Sequence, residues 1–201
     1  ARMIATQYKD TDGDVKLTYL TEVFRSADFR AGEKREFKQA GIEYFGTSSP
    51  KIDSEIIMTA VHALNNTEFR ELKTELGDTR YFNGFTEALR AYDGFDSNEL
   101  MNELKELVEM KNIPGLFEFT KKYNMPDELS EVLLKIPLLY GDIDKVLDKA
   151  YTLSLNEQMR SSVENLRNIR NYLDKDFSLS ADMGLVNRLE YYSGMLFKIY
   201  L

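Results

Sequence analysis

Residues 35 to 46, REFKQAGIEYFG, alternate in a way that fixes them as a strand with a polar face. Successive side chains of a strand point to opposite sides, so Arg35, Phe37, Gln39, Gly41, Glu43 and Phe45 share one face. Gln39 and Glu43 are then neighbours roughly 13 Å apart along an extended chain, with Gly41 between them as a bare floor. A glycine inside a strand weakens it and marks a place where a ligand or another backbone comes close. Flanked by an amide and a carboxylate, such a gap could hold a small cationic group such as an ammonium. A solvent-facing strand of mixed polarity is the equal alternative on this segment alone.

Residues 15 to 25, VKLTYLTEVFR, form a second β-rich run. The polar connection Ser26 to Lys34 returns the chain to Arg35, which predicts an antiparallel hairpin. Arg25 and Arg35 would flank its loop end. Paired guanidinium forks match phosphate or carboxylate, and a solvated rim is the equally common alternative.

The remainder of the chain reads mostly as helix. Ile52, Ile56, Ala60 and Leu64 recur at helical spacing over 51–65, with Asn65-Asn66 as a stop. A strand is expected over 68–76 and a helix over 81–92. Helices then follow over 97–111, 114–123, 126–136, 141–152 and 155–174. Pro114 and Pro126 suit first turns, and Ser97 and Asp142 suit caps. Strands return over 177–181 and 190–201.

Three segments carry a family resemblance. The pattern FR, a glycine-containing loop, then R-E-F-x-Q-x-G-x-E-x-F-G resembles motif 2 of a class II aminoacyl-tRNA synthetase, in the version of histidyl-tRNA synthetase. LVNRLEYYSGMLF, residues 185–197, resembles that family's histidine-binding segment, LVRGLDYYTGxVF. LGDTRYFNGFTEAL, from Leu76, is similar to the strand and helix between them. The resemblance implies an α+β fold: an antiparallel sheet with flanking helices and a helical insertion. It divides the chain into a partial synthetase-like core, 1–94 and 176–201, and an insertion, 95–175.

Carried over by position, the resemblance gives Arg25 the motif 2 role of holding an α-phosphate. It places Gln39 and Glu43 at the histidine α-amino group, and Tyr191 and Tyr192 in the wall of the imidazole pocket. The departures are as informative. Ala27 stands where the family has an acid that meets adenine, and Asn187-Arg188 stands where it has Arg-Gly. A shift of one residue in an extended segment turns a side chain to the opposite face, so Arg188 does not replace the family arginine. Loss of adenylate chemistry is therefore expected, with no catalytic residue and no cofactor.

A synthetase-like core of this kind resembles the regulatory subunit of ATP phosphoribosyltransferase, a paralogue in histidine biosynthesis. That resemblance implies a short catalytic subunit as partner, histidine as ligand and allosteric control. It also implies a homodimer through a motif 1 region that does not occur in this sequence. The alternative is a diverged histidyl-tRNA synthetase core that activates histidine with ATP. The chain begins like the end of a family helix and stops before any glycine-rich motif 3, so it reads as a piece of a longer protein.

Composition agrees with the first reading. The formal net charge is −8, which suits polyanionic RNA poorly because such binding rests on Lys and Arg. With 201 residues, 43% of them hydrophobic, the chain can bury a sizeable core. Cysteine is absent, which excludes disulfides and thiolate metal sites. No membrane-length apolar run or signal peptide is evident, so a cytoplasmic protein is the simplest expectation. Asp10-Thr11-Asp12-Gly13-Asp14 is expected to be a turn, because its glycine comes too early for a calcium loop. His62 is the sole histidine and has no acid-base partner in sequence, so no metal site and no catalytic triad is expected. The charged surface of the insertion, with Glu99, Glu103, Glu106, Lys121, Lys122, Asp144, Lys145 and Asp148, reads first as a solvated face and second as a docking surface.

Overall fold

Val15, Leu17, Tyr19 and Val23 are half-buried while Lys16, Thr18, Leu20 and Glu22 between them are exposed, the period of a strand with one covered face. These residues form β1 (Val15–Phe24), which pairs antiparallel with β2 (Glu36–Phe45). The computed structural model describes residues 2–24, 35–68, 71–174, 177–186 and 193–201. The expected hairpin is therefore present, and its connection lies outside the described residues. A short helix, α1 (Arg2–Gln7), precedes it. Between them the acidic stretch makes a turn with Gly13 at φ +93°. Asp14 ties the two strands at their open end: its carboxylate accepts from the Tyr44 hydroxyl and, at 2.9 Å, from the Thr47 N–H. These bonds hold the Asp14 carboxyl below its ordinary value, the Tyr44 bond most of all.

The hairpin belongs to one compact unit, residues 1–52, and the rest of the chain to a second, residues 53–201. Helix α2 (Pro50–Asn65), all but its first three residues in the second unit, leads to β3 (Lys73–Asp78) and α3 (Thr79–Arg90). Next come α4 (Asn98–Glu109), α5 (Ile113–Lys122) and α6 (Asp127–Lys135). A 3₁₀ turn, Ile136–Leu138, leads into β4 (Tyr140–Asp142), α7 (Ile143–Thr152) and α8 (Glu157–Tyr172). Two strands close the chain, β5 (Leu179–Asp182) and β6 (Met195–Tyr200).

The sheet of this unit runs β4-β5-β3-β6. β3 pairs antiparallel with β6 and parallel with β5, and β4 pairs antiparallel with β5. The expected antiparallel sheet is thus present with one parallel joint. Thr74, Leu76 and Asp78 lie buried on one face of β3, and α8 packs against this strand and against α3. Tyr81, Phe85 and Leu89 line one side of α3 at helical spacing and are fully buried. Burial of an apolar side chain such as Phe85 or Leu89 contributes about 1.5–3 kcal/mol. Gly84 permits the close approach of α3 and α8, since a Cβ there would lie 2.8 Å from Met159 Cγ.

Capping decides where several elements begin. Asp78 caps α3, so that helix starts at Thr79 and the strand before it runs over 73–78 instead of the expected 68–76. Ser97 and Asp142 cap α4 and α7 as their residue types suggest, accepting from Leu100 N and Lys145 N. With its cap at Asp142, α7 leaves Tyr140–Asp142 free to pair as β4, a strand that sequence reasoning placed partly inside a helix. Pro114 sits in the first turn of α5, and Pro126 immediately precedes α6.

The helices of 95–175 lie in the same compact unit as β3, β5 and β6, and β4 from within that stretch is an edge strand of the same sheet. Among the described residues no helix is long and apolar enough to cross a membrane.

Candidate amino-acid site

Gln39, Gly41 and Glu43 share a face of β2, and the pairing register places Thr21, Tyr19 and Leu17 of β1 directly opposite them. Gln39 is half-buried and Glu43 is exposed. The floor between them is not bare. A Cβ on Gly41 would lie 2.4 Å from Tyr19 Cζ and 2.4 Å from its hydroxyl oxygen, so the phenol ring covers the glycine. Gln39 Nε2 donates to the Tyr19 hydroxyl at 2.6 Å, which pins ring and amide together. Alternation within β2 shows which of its own residues are neighbours, but not what the adjacent strand lays across them.

Arg35 lies just before β2 and is exposed. Arg25, Tyr191 and Tyr192 lie outside the described residues, as do Ala27, Asn187 and Arg188. The structure therefore brings together Gln39, Gly41 and Glu43 and adds Tyr19, which sequence reasoning missed. Its signal was available: in a hairpin closed by residues 26–34, Tyr19 falls near Gly41, and a large ring opposite a glycine is a recurrent cross-strand pairing.

Two polar clusters belong to the second unit. Asp78, with its side chain fully buried, accepts from Arg80 Nε at 2.9 Å, from Arg80 Nη2 at 2.5 Å and from the Arg80 N–H at 3.0 Å. Asn165 Nδ2 approaches the same carboxylate at 3.5 Å. The bonds to Asp78 raise the Arg80 guanidinium further above its ordinary value. Burial raises the nearby Asp53 carboxyl, opposed by the Arg80 charge and assisted by that of Asp78.

The second cluster lines a polar cavity of about 300 Å³ between β3, β5, β6 and the turn after α4. Glu75 and Lys198 face each other across β3 and β6, and the Tyr200 hydroxyl donates to Glu75 Oε1 at 2.9 Å. Asp182 is held by Lys111 Nζ at 2.7 Å and by the Gly184 N–H at 2.9 Å. Of the cluster's charged side chains, Lys111 and Asp182 form an ion pair. Burial first, then Glu75, raises the Tyr200 phenol above its ordinary value.

Comparison with known proteins places these features in a family. The family model described as histidyl-tRNA synthetase matches residues 1–201. An ATP phosphoribosyltransferase regulatory subunit from Acetivibrio thermocellus is 33% identical over 98% of this chain and 47% of its own length. The chain spans about half the length of the curated relatives it matches. Among solved structures, an ATP phosphoribosyltransferase regulatory subunit/histidyl-tRNA synthetase from Bacillus halodurans aligns with a TM-score of 0.84 at 23% identity, covering 99% of this chain and 51% of that one. The ATP phosphoribosyl transferase (HisG:HisZ) complex from Thermotoga maritima aligns at a TM-score of 0.70 and 20% identity, over 99% of this chain and 68% of that one. These likenesses show the fold expected from the motif 2 hairpin and the LGD strand. Matched along its full length, the chain belongs to the histidyl-tRNA synthetase family.

Proposed function

We propose that the full protein is the non-catalytic regulatory subunit of ATP phosphoribosyltransferase, acting in histidine biosynthesis by binding histidine and regulating a short catalytic subunit. The observation that carries this reading is the 33% identity, over 98% of the chain, to a relative named as that regulatory subunit. The sequence supports it from a second side. Ala27 and Asn187-Arg188 replace the family residues that serve adenylate chemistry, and a net charge of −8 disfavours tRNA.

In this reading Gln39 and Glu43 receive the α-ammonium of histidine, and Tyr191 and Tyr192 wall its imidazole. Arg25 and Arg35 hold an anionic group. An ammonium carries donors only, so it needs acceptors, and Glu43 supplies a charged one. Histidine would favour one of two arrangements of the complex and so change the partner's activity by a coupling free energy. The protein works in the cytoplasm as a homodimer bound to the catalytic subunit.

The test uses the full-length protein and a short ATP phosphoribosyltransferase catalytic subunit. Product formation from ATP and phosphoribosyl pyrophosphate should change on mixing the two, and should respond to histidine. Glu43→Ala should abolish that response. Histidine-dependent ATP-pyrophosphate exchange by the full-length protein alone would instead establish the second reading, a diverged synthetase.

A further inference from the structure

The Tyr19 phenol occupies the space over Gly41 that the ammonium site was expected to leave bare. We infer that Tyr19 is a positioning residue of the amine site: its hydroxyl fixes the orientation of the Gln39 amide, and its ring replaces the backbone as the floor on which an α-ammonium rests. This inference rests on the reading of Gln39 and Glu43 as the amine-binding pair.

Three observations meet at this point. Tyr19 and Gly41 are register partners, so their side chains project from the same face of the hairpin. A methyl group at 41 would come within 2.4 Å of the phenol, so only glycine lets the ring lie across the strand. Gln39 Nε2, not its carbonyl, is the atom directed to the Tyr19 oxygen, at 2.6 Å.

The chemistry follows from donor and acceptor types. A primary amide can present either its NH₂ or its C=O to a ligand, and the two ends have opposite electrostatic sign. With the NH₂ engaged by the Tyr19 oxygen, the carbonyl is the end of the amide whose sign suits a cation. A Tyr face adds a third attractive surface, since its ring quadrupole is negative on the face and draws ammonium groups. Amide carbonyl, Glu43 carboxylate and aromatic face together select a positively charged amine over a neutral or absent one. The same constellation gives little discrimination among side chains, which must be read elsewhere in the pocket.

The experiment separates amine recognition from general folding. Binding of histidine and of its deaminated analogue, imidazolepropionate, is measured by calorimetry on the full-length protein and on Tyr19→Phe. The unaltered protein should prefer histidine. Tyr19→Phe should narrow that preference by about two- to ten-fold, the loss expected for one hydrogen bond, with imidazolepropionate affinity unchanged. Tyr19→Ala, which also removes the ring face, should narrow it further. An unchanged preference in both variants, or an equal loss for both ligands, overturns the role of Tyr19 while leaving Gln39 and Glu43 as the amine site. Failure of the unaltered protein to bind histidine overturns the underlying reading, and this inference with it.

Discussion

Lys111 Nζ lies 2.7 Å from a carboxylate oxygen of Asp182, joining the turn after α4 to the end of β5. The Asp182 side chain is 6% exposed and that of Lys111 is 38% exposed, so the acid carries most of the desolvation. Lys111 reaches this position from a left-handed backbone at φ +51°, a conformation that non-glycine residues adopt at a cost. Its ammonium also lies 4.2 Å from the centre of the Tyr140 ring in β4. Lys111→Met should cost about 1–3 kcal/mol, because it leaves a buried carboxylate with the Gly184 N–H but without its cation. Urea denaturation should show a lower midpoint at unchanged slope. Adding Asp182→Asn should restore part of the loss, since a neutral amide needs no counter-charge.

Asp78 serves α3 both as cap and as counter-ion. Asp78→Ala removes the acceptor of the Arg80 N–H and both side-chain bonds from Arg80, and should destabilise by about 2–4 kcal/mol. Asp78→Asn keeps a capping oxygen and should cost less. Thermal unfolding of the two variants gives the comparison, and equal losses would show that the cap contributes nothing.

Asp53 provides a pH test. Burial is the main cause of its raised carboxyl pKa, with Asp78 adding to it and Arg80 opposing it. A carboxyl with a folded-state pKa above its unfolded value binds its proton more tightly when folded. Its contribution is fully present below the unfolded value of 3.8 and is lost as pH rises through the folded value. Replacement by Asn removes that loss. Relative to Asp53→Asn, the unaltered protein should therefore become less stable as pH climbs above the region of 3.8, with the gap constant once the carboxyl is ionised. Unfolding curves at a series of pH values would reveal a gap of the opposite slope if Arg80 dominates.

Gly41→Ala should force the Tyr19 ring from its place and break its bond to Gln39. Overpacking of this kind costs about 1–3 kcal/mol. The cost should shrink when Tyr19 is already Ala, and a double-mutant cycle on unfolding free energies reads the coupling directly. Additive effects would mean that the two residues do not share the space.

Helical periodicity and caps made most helices of the second unit legible to within a few residues. Ser97 and Asp142 announced the starts of α4 and α7, and the alternation of 15–25 and 35–46 announced the hairpin. What escaped was decided by partners distant in sequence. Tyr140–Asp142 is a strand because β5 is beside it, and its own three residues carry no strand period. The cover over Gly41 depends on β1, and the Lys111–Asp182 pair joins residues with no shared pattern. Gln39 and Glu43 could be found because local alternation alone makes them neighbours. Tyr19 required a register, which a hairpin of unknown turn geometry leaves open by a residue or more.

The parallel pairing of β3 with β5 requires the long stretch of chain between them, which includes α3 to α8 and β4, to carry the backbone back to the end of the sheet where β3 began. A tight hairpin cannot make such a connection, which needs a crossover of at least about a dozen residues. Shortened versions of this lobe can survive if they still carry the backbone from one end of the sheet to the other. Complete excision with a short splice would instead reverse or unpair a strand at the heart of the domain.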